Sequence, residues 1–349
     1  MIRVCERIQS NRSVYMKRII LFISIAFITL SCHRAKKIPD VSGIKISLEV
    51  ERFEKDFFAL DTTQLNTSLD ALSKKHPGFT QDFLFNILGT SPDSAMQQVP
   101  SFIRSYQNLA TAAIDKYKDI STITEQVKHG FRFVHYYFPQ YKLPAKLVTF
   151  IGPINSYGSI LTPNAMAVGL QLYMGKDYPL YLSQEGQEMY PLFISRRFEP
   201  AYIVVNGIKN IIEDMYPNNS LGKPLVEQMV ESGKRMYVLD QLLPNLPDTI
   251  KTGYTLQQLE GCYASEKNIW SFFVQGDLLF NTDPNITRDY LNDGPNTPAL
   301  GEASPGNIGQ FVGMQIVSKW MENQKNISLE TLMKTPAKQI FEEAKYKPR

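Results

Sequence analysis

Apolar residues recur along most of this chain at a spacing of three to four positions, which predicts amphipathic helices. The pattern predicts helices over 67–74, 81–88, 94–109, 111–118, 124–138, 184–194, 200–215, 224–242, 255–280, 305–323 and 328–345. Shorter apolar or alternating runs predict strands over 44–50, 146–151 and 165–173, and we expect the last two to lie side by side. The expected fold is therefore α+β, a predominantly helical single domain with a small β-sheet.

The segment 224–242 has two faces of different character. Its apolar face comprises Leu225, Val226, Met229, Val230, Met236 and Tyr237. Its polar face comprises Glu227, Glu231, Lys234 and Arg235. We expect the polar face to be solvated, with Glu231 and Arg235 paired across one helical turn, rather than to form a metal or acid–base site.

Three glycines follow one another along a single stripe of the segment 305–323. Gly306, Gly309 and Gly313 stand at the spacing i, i+3 and i+7. Each glycine inside a helix costs about 1 kcal/mol, so we expect another backbone to pack closely against the stripe; a lined cleft is the alternative. Ser304 is the expected N-cap of this helix and Pro305 its first residue.

The first 32 residues have the composition of a targeting segment. Lys17 and Arg18 precede an uncharged apolar run over 19–30, and Ser31 stands directly before Cys32. This order predicts a signal peptide over 1–31, with Met16 as the expected true start, and a lipid such as palmitate on Cys32. Residues 32–39 would form a lipidated tether and 40–349 a globular domain. The alternatives are a cleaved leader without lipid and an uncleaved anchor. Twelve helical residues span only about 18 Å, however, and a bilayer core is ~30 Å thick.

The positive net charge of the chain belongs to this leader. Residues 1–31 contain five basic residues and one acidic residue, whereas the remainder contains 32 basic and 33 acidic residues. The mature chain therefore has no electrostatic basis for binding nucleic acid. Of the three cysteines, Cys5 precedes the expected start and Cys32 would be acylated, so Cys262 has no disulfide partner and is expected to be buried.

No familiar catalytic motif occurs in the sequence. There is no Gly-x-Ser-x-Gly elbow, no phosphate-binding lysine loop and no Cys-x-x-Cys pair, and we expect neither a metal nor another cofactor. The strongest candidates for a polar cleft or interface are Asn155, Tyr157, Arg196, Arg197 and Tyr202. The two arginines could receive a carboxylate or phosphate group. Alternatively, these side chains cap and brace neighbouring helices.

Five segments give the chain a family resemblance. They are Glu49–Phe58, Leu172–Pro179, Gln228–Tyr237, Ser304–Val317 and Ile340–Arg349. Together they resemble the gliding-motility lipoprotein GldB family over the whole mature chain. The resemblance implies a membrane-anchored envelope lipoprotein that faces the periplasm from the outer or inner membrane. It also implies a non-catalytic component or assembly factor of gliding motility or the associated secretion machinery, with other envelope proteins as partners.

A weaker resemblance is to the scaffold of predicted zinc proteases. Such enzymes bind zinc through His-Glu-x-x-His on a helix. The corresponding segment, Ala201–Asn210, contains no histidine, and His129 and His135 stand six positions apart with no acidic residue between them. We therefore expect no enzyme activity. The alternative function is that of a degenerate zincin-like scaffold whose cleft binds peptide or cell-wall ligands.

Overall fold

A four-stranded sheet lies at the centre of the N-terminal half of the fold. The computed structural model describes residues 38–348, and within them the strands are β1 (Glu49–Arg52), β2 (Lys146–Phe150), β3 (Ser159–Leu161) and β4 (Ala165–Gly169). The spatial order is β1-β2-β4-β3. β1, β2 and β4 run parallel, whereas β3 pairs with β4 in the antiparallel direction and forms one edge.

Helices make up most of the rest of the described chain. In chain order they are α1 (Phe53–Phe57), α2 (Leu65–Lys75), α3 (Phe79–Gln81), α4 (Pro92–Lys116), α5 (Ser121–Tyr137), α6 (Pro179–Leu182), α7 (Gln184–Met189), α8 (Leu192–Ser195), α9 (Tyr202–Met215), α10 (Leu225–Leu242), α11 (Asp248–Thr252), α12 (Leu256–Ala264), α13 (Glu266–Gln275), α14 (Pro284–Leu291), α15 (Ile308–Asn323), α16 (Leu329–Lys334) and α17 (Ala337–Ala344). A π-helical turn, Asp82–Ile87, continues α3. The expectation of a mostly helical α+β fold is confirmed.

Several predicted boundaries were wrong. The helices predicted over 94–109 and 111–118 form one helix, α4, which tolerates Pro100 in its interior. The segments 184–194, 255–280 and 328–345 are each divided into two helices. β1 begins at Glu49, so most of the predicted strand over 44–50 is not a strand. The predicted leader over 1–31, the start at Met16 and the lipidated Cys32 all lie outside the described residues, as does most of the 32–39 tether.

The two central strands are buried, which explains their composition. Every residue of β4 is buried, and so are the last four residues of β2. Strands covered on both sides read as continuous apolar runs rather than as alternating ones. The predicted adjacency of these two strands is confirmed, since Lys146 to Phe150 pair in register with Ala165 to Gly169.

Helices α10 and α15 cross with their backbones in contact. A Cβ atom added to Gly313 would lie 1.7 Å from the Met229 carbonyl oxygen, and one added to Gly233 would lie 2.1 Å from the Gly313 carbonyl carbon. Gly309 is similarly confined against Tyr290. The predicted close packing of the glycine stripe is therefore confirmed.

The predicted start of this helix was wrong. α15 begins at Ile308, and its N-cap is Asn307 in the left-handed conformation (φ 53°) rather than Ser304. The Ser304 hydroxyl instead donates to the Thr297 and Gly301 carbonyl oxygens, at 3.1 and 2.6 Å. The serine therefore closes the preceding loop and leaves the helix to start three residues later.

Lys234 on α10 is buried, although the sequence pattern placed it on the solvated face. Its side chain is 2% exposed. The ammonium group donates to the Met333 and Thr335 carbonyl oxygens, at 3.1 and 3.0 Å, and pairs with Glu231 at 2.7 Å. These carbonyls end α16, where a cation is stabilised by the unsatisfied carbonyl groups. The predicted pair between Glu231 and Arg235 is present at 3.0 Å.

Five ionisable side chains connect β1 and β2 to the first helices. His76 Nδ1 lies 2.7 Å from Glu51 Oε2, and its Nε2 lies 2.8 Å from Asp56 Oδ2. Lys146 pairs with Glu51, and Lys75 pairs with Asp56. Burial alone would raise the pKa of both carboxyl groups, but their hydrogen bonds to His76 and to the two lysines lower it below the ordinary value.

Replacing Gly313 by alanine should destabilise the protein by about 2–4 kcal/mol, because the new methyl group must displace the backbone of α10. The free energy of unfolding can be measured by urea denaturation. Gly261→Ala in α12 is the matched control: no atom lies within 4 Å of its added Cβ, so helix propensity should make it neutral or slightly stabilising. Equal destabilisation by both substitutions would contradict the close crossing.

His76→Gln should lower the free energy of unfolding by about 2–3 kcal/mol at pH 7, because the buried Glu51 and the half-buried Asp56 lose a shared hydrogen-bond partner. Because their pKa values are lowered in the folded protein, the ionised Glu51 and Asp56 stabilise the fold above pH ~4. This stabilisation is lost as the pH falls through the lowered pKa values and the carboxylates become protonated. The gap between wild type and variant should therefore shrink from pH 7 to pH 3 in urea denaturation experiments. His135→Gln, at an exposed histidine, should leave both stability and its pH dependence unchanged.

Candidate functional site

A cleft lies between the edge strand β3 and helix α9. The Asn210 amide donates from Nδ2 to the Ser159 carbonyl oxygen at 2.9 Å and lies 3.2 Å from its hydroxyl. On the inner side, a Cβ atom at Gly207 would lie 2.3 Å from Met166 Sδ, so the helix backbone packs directly on β4. Helix α9 is thus fixed beneath the sheet edge and forms one wall of the cleft.

A second amide faces the same cleft one helical turn earlier. Asn206 donates from Nδ2 to Tyr173 Oη at 2.9 Å. Burial raises the pKa of Tyr173 to about 12, so this phenol is neutral at physiological pH. Residues four apart on a helix share a face, which is why Asn206 and Asn210 both reach the cleft. Each amide has a structural partner in place.

Two cavities of about 290 Å³ each meet on α9. The cavity on the β3 side is lined by Gly158, Ser159, Leu172, Tyr173, Phe198, Asn206, Lys209 and Asn210. The cavity toward α10 and α15 is lined by Lys209, Asn210, Ile212, Glu213, Ser232, Arg235, Met236, Leu239 and Gln310. Lys209 and Asn210 line both cavities and therefore lie between them.

Lys209 is the chemically distinctive residue of this cleft. Within residues 38–348 its ammonium group has neither a hydrogen-bond partner nor an ion-pair partner. Burial and the nearby charge of Arg197 lower the pKa of Lys209 to about 8, although Asp293 acts in the opposite direction. The side chain is half-buried, and within residues 38–348 no carboxylate forms an ion pair with it.

Arg196, Arg197 and Tyr202, predicted from the sequence, lie together where the chain enters α9. Arg196 donates from Nη2 to the Gly253 carbonyl oxygen at 2.9 Å, and Arg197 pairs with Asp293. Burial and the neighbouring Arg197 lower the pKa of Arg196, whereas burial raises that of Tyr202. Arg196 therefore braces the end of α11, which is the alternative role that the sequence left open.

Asn155 and Tyr157 lie apart from the arginines, on the loop between β2 and β3. Both side chains are exposed. The loop is held by the buried Gln171, whose amide accepts the Gly152 N–H at 3.1 Å and donates to the Tyr157 carbonyl oxygen at 3.1 Å. No contact found in the described chain joins this pair to Arg196 or Arg197. Their role in a cleft or interface stays a prediction.

Sequence reasoning missed the residues that line the α9 cleft. Asn206, Lys209 and Asn210 are polar positions within a helix that is otherwise mostly apolar and buried. A polar pair at i and i+4 on such a helix is the signal that could have identified them. The partners of the pair, Tyr173 and Ser159, are distant in sequence, so the contacts themselves could not be deduced.

Two further candidates for reactive chemistry, Cys262 and His129, lie outside the α9 cleft. Cys262 is buried, and burial raises the pKa of its thiol to about 12, which disfavours the nucleophilic thiolate. His129 on α5 accepts a hydrogen bond from the Asn245 amide at 3.2 Å.

Within residues 38–348, no group of three or more His, Cys, Asp and Glu side chains is placed to hold a metal ion. In the same residues, no helix combines the length and apolar character needed to cross a membrane.

A comparison with protein families gives a match that spans all the described residues. The model of the family described as gliding motility protein GldB, whose label marks lipoproteins, matches residues 34–348. The chain belongs to the GldB family. The match includes the sheet, α9 and the crossing of α10 with α15, and it makes the chain a gliding-motility-related lipoprotein of the cell envelope. Comparisons with curated proteins and with solved structures return no match.

Family membership confirms the resemblance read from the five sequence segments. The match begins after Cys32, so lipidation at that cysteine stays a prediction. The weaker similarity to a zinc protease scaffold also stays a prediction, since none of the comparisons reports it.

Asn210→Ala should free the outer edge of β3, because the Ser159 carbonyl oxygen loses its donor. We expect a loss of about 1–2 kcal/mol in the free energy of unfolding and faster hydrogen exchange of the β3 backbone amides, measured by mass spectrometry. Asn86→Ala, which removes an exposed amide donating to Asp82, should change neither quantity. Unchanged exchange in the Asn210 variant would contradict the role of this amide.

Proposed function

We propose that this GldB-family protein is a non-catalytic, membrane-anchored component of gliding motility or of the associated secretion machinery. In this proposal a lipid on Cys32 holds the protein at the outer or inner membrane, and its folded domain faces the periplasm. The domain acts there as an interface for other envelope proteins, either as a permanent component or as an assembly factor. Family membership supports the setting of this role, and the chemistry of the α9 cleft supports its non-catalytic character.

The non-catalytic role is supported by one observation: the amide groups of the cleft are engaged in hydrogen bonds that hold the fold together. Asn206 and Asn210 occupy the i and i+4 positions of α9 and donate to Tyr173 and Ser159. Two carboxylates near Lys209 are also engaged: Asp293 pairs with Arg197, and Glu213, which lines the cavity toward α10, pairs with Arg235 at 3.3 Å. General base catalysis needs an acceptor within hydrogen-bond reach of a substrate proton. A cleft whose amide and carboxylate groups are already paired is better suited to binding than to proton transfer.

A second candidate function is ligand binding in this cleft by a catalytically degenerate, zincin-like scaffold. The two adjacent cavities on α9 and the unpaired ammonium of Lys209 favour it. Peptides and cell-wall fragments both carry carboxylates that such a donor can receive. The two candidates are compatible, because a tethered interface can recognise its partner through a cleft.

Deleting the gene and complementing it tests the proposal. The full-length chain should restore surface spreading and protein secretion, whereas Cys32→Ala should fail to restore either, because the acceptor for the lipid is absent. Cys262→Ala is the matched control; it removes one buried sulfur at a cost of about 1 kcal/mol and should complement normally.

Two results would contradict the proposal. Complementation by Cys32→Ala at the level of wild type would show that anchoring is not required. Stoichiometric zinc in the purified protein, together with cleavage of a peptide substrate, would show that the protein is an enzyme.

A further inference from the structure

The cations around helix α9 differ in how their charge is compensated. Arg197 pairs with Asp293, and Arg235 pairs with Glu231 at 3.0 Å. Lys209 forms neither a hydrogen bond nor an ion pair within the described residues. Removing an ammonium group from water without an opposite charge is unfavourable, so an anion that reaches Lys209 recovers a charge-assisted hydrogen bond.

The side chains around Lys209 indicate which chemical groups should flank the charge of such an anionic ligand. Leu172 and Phe198 line the cavity toward β3, and Met236 and Leu239 line the cavity toward α10. Glu213 also lines the second cavity, where its carboxylate pairs with Arg235 at 3.3 Å. An anionic ligand bound at Lys209 would therefore have apolar groups on both sides of its charge. An inorganic ion leaves both cavities unfilled, whereas a peptide with one acidic residue between apolar residues occupies all three positions.

We propose that the α9 cleft binds an acidic peptide segment of an envelope partner, with the carboxylate of a Glu or Asp side chain received by Lys209, which lies between the two cavities. The proposal rests on the non-catalytic binding role given above and names the class of ligand. Asn210, whose amide is already engaged with Ser159, fixes the wall beside the carboxylate. The apolar linings receive the side chains on either side of it. Lys209 then determines specificity through its charge, and it takes no part in any covalent step.

Titration calorimetry on the full-length lipoprotein in detergent micelles tests this assignment. The probes are a blocked pentapeptide, Leu-Ala-Glu-Ala-Leu, the same peptide with Gln in place of Glu, and inorganic phosphate. We expect the Glu peptide to bind at least tenfold more tightly than the Gln peptide, because only the carboxylate forms a charged hydrogen bond with Lys209. This comparison needs no variant and so does not depend on whether a mutant folds.

Lys209→Met and a matched control complete the test. The variant should bind the Glu peptide at least tenfold more weakly than wild type, bind the Gln peptide equally well, and melt at the same or a higher temperature. Lys319→Met, which removes the exposed lysine paired with Glu322, should leave all three values unchanged. The proposal requires that the Lys209 variant, and not the Lys319 variant, bind the Glu and Gln peptides with equal affinity.

Equal affinities for the Glu and Gln peptides in the wild type, or no binding of either, would overturn the assignment. Binding of phosphate but not of the Glu peptide, dependent on Lys209, would replace it with a phosphate site. Cleavage of a bound peptide would refute the non-catalytic function while leaving recognition by Lys209 intact. Failure of peptide binding would leave the complementation result for Cys32 unaffected, so the two proposals fail separately.

Discussion

The contact between the backbones of α10 and α15 is the constraint on which the helical part of the fold depends. Gly233 and Gly313 meet where no side chain larger than hydrogen fits, since an added Cβ at either position would lie within about 2 Å of the other helix. Glycine is a poor helix former, so its presence at both positions must be offset by the packing that the close approach allows. The apolar side chains on either side of the crossing, including Met229, Val230, Val312 and Ile316, are all buried.

This crossing also fixes the position of the cleft. α10 supports α9 from one side, while Gly207 lets α9 rest on Met166 of the central sheet from the other. A helix held on two sides presents only one remaining face, and the polar residues Asn206, Lys209 and Asn210 lie on it. The site is therefore built on a rigid element, which suits recognition of a ligand with a defined shape.

Much of this arrangement follows from local sequence patterns, and the rest requires contacts between distant residues. Spacings of two to seven residues were enough to predict the helical segments, the buried strands β2 and β4, the glycine stripe and the Glu231–Arg235 pair. β3 is only three residues long and half-buried, so it carries too little periodicity to be detected. Lys234 looks like a surface residue until α16 supplies carbonyl acceptors about a hundred positions later. The cleft was missed for the same reason, since Asn206 and Asn210 find their partners on Tyr173 and Ser159 rather than within α9.

The burial of Lys234 has a consequence for the order in which the chain can acquire its structure. The ammonium group on α10 is satisfied by carbonyl oxygens of Met333 and Thr335, and α17 follows directly after them. Before residues 329–335 dock, the ammonium group keeps its pair with Glu231 on the same helix but lacks these two acceptors, so burying it costs free energy. Burial of this face of α10 is therefore coupled to docking of α16. A chain cut before α16 should leave the face open and should be digested more readily by proteases.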